Sequence, residues 1–261
     1  MGRQSLFAMV VLALSCMSVP ALAQAVNTQG FNPSPHPKDY FSVQGTETIG
    51  HLNWGLGLYL NYGHHPLSIA DQDGGLIRGV VNHQLTGNLL FSLGVLDFME
   101  FALDMPVHLY MDGDGLTPGD GGPSTAGVGD LRFIPRFRLL DHGGNGFGLA
   151  LSLPVTFPIG KQIDPFMGRQ NVTFSPQLMM EVRVPWFRIA LDAGYRFAAE
   201  SNVADLRVDD ELFYGLGLGV QPGTKYLEIV AEAYGAAAIH DLVKDNTRTL
   251  EVLAGLKIYP V

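Results

Sequence analysis

Charged side chains recur at even spacings in two segments that follow one another along the chain. Glu100 and Asp104 lie four residues apart, and Arg132, Arg136 and Arg138 come after them. If the two segments pair as antiparallel strands, Glu100 lies near Arg138, and Asp104 lies between Arg132 and Arg136. Such a pairing predicts either a buried ladder of ion pairs that holds an interior together or a charged constriction that selects ions or solutes.

The same spacing of charge continues further along the chain and completes one candidate site. Its nine members are Glu100, Asp104, Arg132, Arg136, Arg138, Arg183, Arg188, Asp192 and Arg196. Long side chains at these positions could fill much of a barrel about 20 Å wide, which favours a plugged interior over an open pore. We expect no catalytic, cofactor-binding or metal site among them.

Alternating apolar and polar side chains position these charges. In residues 52–62, six apolar side chains fall on one face, and Asn, Gly and Tyr fall on the other. Successive side chains of a strand point to opposite faces, so the pattern predicts a strand with one apolar face. Ten such strands are predicted, at residues 52–62, 77–95, 99–109, 131–139, 147–157, 172–184, 187–197, 212–220, 227–235 and 250–258.

The connections between these strands alternate between short and long. The short ones fall near residues 96–97, 141–146, 185–186 and 221–225. The long ones span residues 63–75, 111–129, 158–170, 198–210 and 236–249. Short periplasmic turns and long outer loops are typical of outer-membrane barrels. We therefore predict an all-β fold, an antiparallel transmembrane up-and-down β-barrel of ten strands, or twelve in an intact parent, with apolar side chains towards lipid.

The composition excludes several other classes of protein. Charged residues make up 16% of the chain, yet no run of eighteen apolar residues occurs outside the N-terminus, which argues against a helical membrane protein. The net charge of −9 argues against nucleic acid as a partner. The one cysteine, Cys16, lies in the N-terminal apolar segment, so no disulfide framework is expected in the mature protein.

The N-terminus predicts a secretory signal peptide over residues 1–23. Arg3 supplies the positive start, residues 6–14 the apolar core, and Ala21-Leu22-Ala23 the cleavage site. Lipidation at Cys16 is the alternative, although the residues before it match a lipobox poorly. Residues 24–50 form a polar lead-in, which we interpret as periplasmic and as extended or plugging the barrel, and residues 51–261 form the barrel itself.

Four stretches of the sequence resemble the barrel half of bacterial OmpA-family outer-membrane proteins. They are residues 31–45, 83–106 (HQLTGNLLFSLGVLDFMEFALDMP), 127–140 (GVGDLRFIPRFRLL) and 149–158. The resemblance implies a structural, envelope-anchoring barrel. Such proteins often carry a C-terminal periplasmic domain that binds peptidoglycan, and no such segment follows the last predicted strand, so a truncated fragment is one interpretation.

Two other functions are left open by the sequence. A small-solute porin is the first alternative, and an outer-membrane surface protease is the second. The protease hypothesis depends on acidic and histidine residues in the predicted outer loops, namely Asp71, Asp73, Asp209, Asp210, His240 and Asp241. The Asp-x-His pair that such proteases use is absent from the sequence, so we expect no enzymatic activity.

Two further clusters could hold a metal ion, but ordinary readings are favoured for both. Asp112, Asp114 and Asp120 do not fit the spacing of an EF-hand loop, and Asp-Gly pairs are common in turns. His64 and His65 are adjacent, and adjacent side chains of an extended strand point apart. We therefore expect no metal and no cofactor.

The sequence as a whole predicts a protein of the bacterial outer membrane that is exported through the periplasm. Its expected partners are outer-membrane lipid and lipopolysaccharide, the barrel-assembly machinery and small solutes, with no nucleic acid.

Overall fold

The computed structural model describes residues 28, 30–70, 75–116, 122–123, 125–164, 166–199, 201–203, 206–208, 210–223, 226–239 and 248–259. The strands, numbered along the chain, are β1 (Trp54–Ala70), β2 (Leu76–Leu96), β3 (Met99–Asp112), β4 (Gly127–Val128), β5 (Leu131–Leu140), β6 (Gly146–Ser152), β7 (Val155–Phe157), β8 (Thr173–Phe174), β9 (Gln177–Val184), β10 (Phe187–Arg196), β11 (Ser201–Val203), β12 (Leu206–Val208), β13 (Glu211–Val220), β14 (Leu227–Ala238) and β15 (Arg248–Ile258). A short 3-10 helix spans Gly160–Gln162. No helix in the described ranges is long and apolar enough to cross a membrane.

One antiparallel sheet contains all the long strands. Their order in the sheet is β1-β2-β3-β5-β6-β9-β10-β13-β14-β15, which is also their order along the chain. The short strands β4, β7 and β8 add to this sheet, and β11 and β12 form a separate hairpin. The predicted all-β, up-and-down arrangement of ten strands is therefore confirmed.

Two of the ten predicted strands are each divided at a proline. The strand predicted at residues 147–157 becomes β6 and β7, with Pro154 between them, and the strand predicted at 172–184 becomes β8 and β9, with Pro176 between them. Proline has no N–H group and cannot donate to a ladder. Beyond the break, β7 still pairs with β5 and with β8, so the sheet continues.

Apolar side chains cover the convex face of this curled sheet. On β1, Leu56, Leu58 and Leu60 are 74%, 62% and 66% exposed, and Leu58 lies opposite Leu89 of β2. Polar residues at the alternate positions point to the concave face, where Asn88 is buried. The polarity is the reverse of that in a soluble globular domain, because the large apolar side chains lie outside and the charges inside.

The connections between strands differ in length between the two ends of the sheet. Short turns join β2 to β3, β5 to β6, β9 to β10 and β13 to β14 at one end, which we call the turn end. At the other end, the loop end, the connections are longer except the one between β1 and β2, and several of them fall partly outside the described residues. The alternation of short and long connections therefore holds for four of the five predicted long ones. The connection predicted at residues 63–75 is shortened to residues 71–75, because β1 and β2 extend through the rest of it.

Residues 30–50, which we call the inner segment, run along the concave side of the sheet. Near its start, Thr28 donates to the carbonyl of Phe166 in the loop before β8. Just beyond its other end, the N–H of Leu52 donates to the carbonyl of Gly94 at the turn end. The inner segment therefore extends along the length of the concave side.

The two edge strands of the sheet meet the inner segment instead of each other. Among the described residues, β1 pairs with β2 alone and β15 pairs with β14 alone. The ring of Phe31 lies 6.0 Å from that of Tyr59 on β1, and Lys257 Nζ on β15 donates to the carbonyl of Tyr40 at 3.1 Å. The inner segment thus contacts both edges of the half-barrel from within.

Candidate functional site

The inner segment is bound to the sheet through its own backbone N–H groups. Glu232 of β14 accepts hydrogen bonds from the backbone N–H groups of Phe41, Ser42 and Val43, the last two at 2.9 and 3.1 Å. Its carboxylate also accepts from the Ser42 hydroxyl at 2.6 Å. These donors have no strand ladder of their own, so one buried carboxylate satisfies three groups that would be costly to leave unpaired.

Two more carboxylates on the concave face of the sheet accept hydrogen bonds from the backbone of the inner segment in the same way. Asp192 of β10 accepts from the N–H of Gln44 at 3.0 Å. Glu181 of β9 accepts from the N–H of Thr46 at 3.0 Å. Because each carboxylate comes from a different strand, the sheet positions the backbone of the inner segment residue by residue.

The centre of the interior is an ion pair between the inner segment and the sheet. Arg136 of β5 is fully buried and lies 2.6 Å from the carboxylate of Asp39. The same guanidinium donates to the side-chain carbonyl of Gln44 at 2.9 Å and to the backbone carbonyl of Glu47 at 3.1 Å. Burial raises the pKa of Asp39, but the Arg136 guanidinium outweighs it and holds this pKa at about 2.

A second buried cation holds another part of the inner segment near the turn end. Arg188 of β10 lies 2.5 Å from the carboxylate of Glu228 on β14 and donates to the carbonyl of Lys38 at 2.6 Å. Its guanidinium lies 4.0 Å from the centre of the Tyr40 ring, within cation–π range. Beneath that ring is Gly217, where a Cβ atom would lie only 2.9 Å from the ring carbons. The absence of a side chain at Gly217 therefore makes room for Tyr40.

The nine residues predicted from the sequence all face or border this interior, but they pair differently from the prediction. Glu100 lies opposite Arg136 in the β3–β5 ladder, and Asp104 lies opposite Arg132, 2.8 Å from its guanidinium. Glu100 accepts from the N–H of Ile49 at 2.8 Å. Asp104 therefore pairs with Arg132, whereas Arg136 turns to the inner segment.

The prediction that Glu100 lies near Arg138 is wrong. Arg138 donates to the backbone carbonyl of Asp97 at 2.9 Å and lies 3.3 Å from the carboxylate of Asp141, both at the turn end. The ladder is shifted by two positions from the predicted one. The long connection between β3 and β5 leaves the register to packing, including contact between Phe101 and Phe133, whose ring centres are 5.5 Å apart.

The remaining predicted residues divide between the inner segment and the loop end. Arg183 lies 2.6 Å from Glu47 of the inner segment and 2.9 Å from Glu181. Arg196 instead pairs with Glu211 of β13, near the loop end, and its guanidinium lies 5.4 Å from the Phe213 ring centre. Arg196 thus belongs to a different part of the interior from Arg136 and Arg188.

The sequence pattern allows residues 24–50 to plug the barrel but assigns none of their side chains to the site. Asp39, Tyr40 and Gln44 lie in a proline-containing stretch without alternation, so no periodic pattern marks them as buried. Two signals of a segment inside the barrel were available in the sequence. Inward-facing carboxylates outnumber inward-facing cations on the later strands. Inward-facing glycines such as Gly215 and Gly217 leave space next to the concave face of the sheet.

The inner segment separates two spaces within the half-barrel. A cavity of about 750 Å³ lies towards the loop end, with Ser42 and Gln44 at its base and Arg132, Arg169 and Arg196 on its walls. A second space of about 520 Å³ lies towards the turn end and is lined by residues that include Lys38 and Arg188. The larger cavity can accommodate a small solute, but the inner segment lies between it and the turn end.

Several residues considered for other functions lie outside the described residues. They are Asp71, Asp73, Asp120, Asp209, His240 and Asp241, as well as the predicted signal peptide with Cys16. Asp210 is described and accepts from the Tyr195 hydroxyl at 2.7 Å.

Replacing Glu232 with Gln is expected to loosen the inner segment. The neutral amide loses the charge that binds three N–H groups, and hydrogen bonds to charged groups contribute about 1.5–3 kcal/mol each. We expect hydrogen exchange at the backbone of residues 41–43 to become at least about tenfold faster. Glu211→Gln, which alters a carboxylate paired with Arg196 instead, is the matched control and should leave this exchange unchanged; equal rates in all three proteins would contradict the assignment.

Acidification from pH 7.5 to 5.5 is expected to weaken docking of the inner segment through His36. Burial lowers the pKa of His36, and the nearby positive charge of Arg136 acts in the same direction. The negative charges of Asp39, Glu100 and Glu47 act in the opposite direction but do not outweigh burial. The undocked imidazole takes up a proton near pH 6.5 more readily than the docked one, whose pKa is lowered, so docking weakens as the pH falls. Asp39, whose pKa is about 2, stays charged over this range.

Hydrogen exchange of residues 41–49 measured against pH checks this expectation. The wild-type protein should show more acid-induced exchange than His36→Gln, and the difference between the two proteins isolates the histidine. Parallel pH profiles would contradict the role of His36.

A protein-family model matches residues 71–256, which include all nine predicted site residues and every strand from β2 to β14. No curated protein matches the chain. The matched family is not the OmpA family, so that resemblance stays a prediction. Because the match covers more than half of the sequence, the chain belongs to the family described as "Putative MetA-pathway of phenol degradation".

Proposed function

We propose that the protein is an integral barrel of the bacterial outer membrane with a structural role in the cell envelope. It is exported through the periplasm before it inserts into that membrane. The observation that carries the proposal is the inverted polarity of the sheet. Leu56, Leu58 and Leu60 are mostly exposed on the convex face, whereas Glu100, Asp104 and Arg136 are fully buried on the concave one. A lipid environment suits such a surface, since charges in the interior avoid the hydrocarbon.

The structural role rests on how completely the middle of the interior is occupied. Backbone and side chains of the inner segment are bound by wall carboxylates and by Arg136 and Arg188, which leaves the two cavities on opposite sides of it. A filled, ion-paired interior stiffens a barrel but does not favour free diffusion through it. The proposal includes an OmpA-like anchoring role, lipid and lipopolysaccharide as surroundings, insertion by the barrel-assembly machinery, and no enzymatic activity.

A small-solute channel is the second candidate function, and the cavity of about 750 Å³ towards the loop end favours it. In that case the inner segment must move for solutes to pass. The family description names phenol degradation, so a small phenolic compound is the first solute to test.

A charge on the convex face should be tolerated at its margin but not in its middle. Arg or Lys facing lipid at the bilayer midplane costs about 2–4 kcal/mol, against about 0–1 near the interface. We expect Leu58→Arg, in the middle of the exposed run, to lower the free energy of unfolding in lipid by about that larger amount, and Leu52→Arg by the smaller one. Equal and negligible effects of both substitutions in vesicles would argue against a membrane-spanning sheet.

Planar-bilayer recordings separate the two candidate functions. The structural proposal expects no discrete conductance steps from the wild-type protein. It expects steps from the double variant Glu232→Gln and Asp192→Asn, in which the backbone of the inner segment loses two of its carboxylates. Discrete steps from the wild-type protein would overturn the structural role and favour the channel, and Glu211→Gln serves as the control for a lost interior charge elsewhere.

A further inference from the structure

Two adjacent histidines at the loop end of β1 do not point apart, although an ideal strand would require it. The ladder between β1 and β2 shifts register between His64 and Leu67, and His65 adopts φ +50°, a left-handed conformation that side chains rarely adopt. The ring centres of His64 and His65 are consequently only 4.2 Å apart. The bulge therefore corrects the sequence prediction for this pair.

A third histidine completes the group from the neighbouring strand. His83 of β2 lies directly opposite His64 in the ladder, and their Nδ1 atoms are 3.4 Å apart. Its ring centre is 5.0 Å from that of His64 and 6.4 Å from that of His65. Three imidazoles from two strands thus converge at one place near the end of the sheet.

The hydrogen bonds of this group are incomplete. Nδ1 of His83 lies 2.6 Å from the Tyr62 hydroxyl as well as 3.4 Å from Nδ1 of His64, yet a ring nitrogen has a single lone pair. Nδ1 of His65 is buried and has no hydrogen-bond partner among the described residues. The left-handed backbone of His65 is strained, and the ring nitrogens of His65 and His83 have incomplete hydrogen bonding. Strain and unsatisfied polar atoms occur together at ligand sites.

We propose that His64, His65 and His83 form a binding site for a divalent transition metal ion of the zinc class. Neutral imidazoles are preferred ligands of such ions. Two nitrogens bound to one tetrahedral zinc at about 2.0–2.1 Å lie about 3.3–3.4 Å apart, which matches the His64–His83 separation.

Binding requires side-chain movements. No three acidic, cysteine or histidine side chains of the described residues already surround a coordination point. The His65 ring must therefore rotate towards the other two, the Tyr62 hydroxyl must leave His83, and water fills the fourth position. The site lies on the sheet near the loop end, apart from the inner segment, so it does not depend on the proposed function.

Calorimetric titration of the metal-stripped, folded protein with Zn²⁺ tests the site. The wild-type protein should bind one equivalent, and His64→Ala and His83→Ala should each weaken binding by roughly tenfold or more, because each removes one of the two ligands already in place. His65→Ala should also weaken it, since it removes the third ligand. Acidification should weaken binding in the wild-type protein, because protonated imidazoles do not coordinate metals.

His51→Ala is the matched control, since His51 is an exposed histidine at the turn end whose ring bonds to the carbonyl of Val95. It should bind Zn²⁺ as the wild-type protein does. Circular dichroism of each variant checks that the sheet is intact. No binding by the wild-type protein, or an affinity in both His64→Ala and His83→Ala equal to that of the wild-type protein, would overturn the proposal.

Discussion

The backbone N–H groups of the inner segment need acceptors in an interior that offers no strand to pair with. Wall carboxylates meet this need, and Glu232 alone accepts from three consecutive N–H groups. A carboxylate can accept several bonds at once, which neutral side chains do less well. The carboxylates on β3, β9, β10 and β14 follow from this constraint, because each accepts a hydrogen bond from a backbone N–H group of the inner segment.

Such carboxylates would be costly to bury without cations nearby. Arg136 and Arg188 supply the opposite charge, yet each also binds the inner segment, through Asp39 and through the carbonyl of Lys38. Each guanidinium therefore offsets the negative charge of the buried carboxylates and also binds the inner segment. It can do both because it has several hydrogen-bond donors. Removing either arginine would leave a buried carboxylate without its partner, which is more damaging than removing the whole pair.

The fold was largely predictable from the sequence, because alternation, turn spacing and charge parity all follow from the period of a strand. Strand number and order were correct, and the divisions at Pro154 and Pro176 are local effects of a missing N–H group. The site was less predictable. Parity identified Arg136 and Arg188 as inward, but their partners lie in an irregular segment that carries no period. The left-handed turn at His65 was also invisible, since no glycine marks it.

Contacts between the inner segment and β15 join parts of the chain that are far apart in sequence. The bond from Lys257 to the carbonyl of Tyr40 spans 217 residues. Bringing such distant parts together is slow, because the loop must close before the contact stabilises it. The outer edges of β1 and β15 pair with no further strand among the described residues, so they are templates for strands of other molecules even after the segment has docked. Efficient folding of this protein thus depends on shielding two exposed edges.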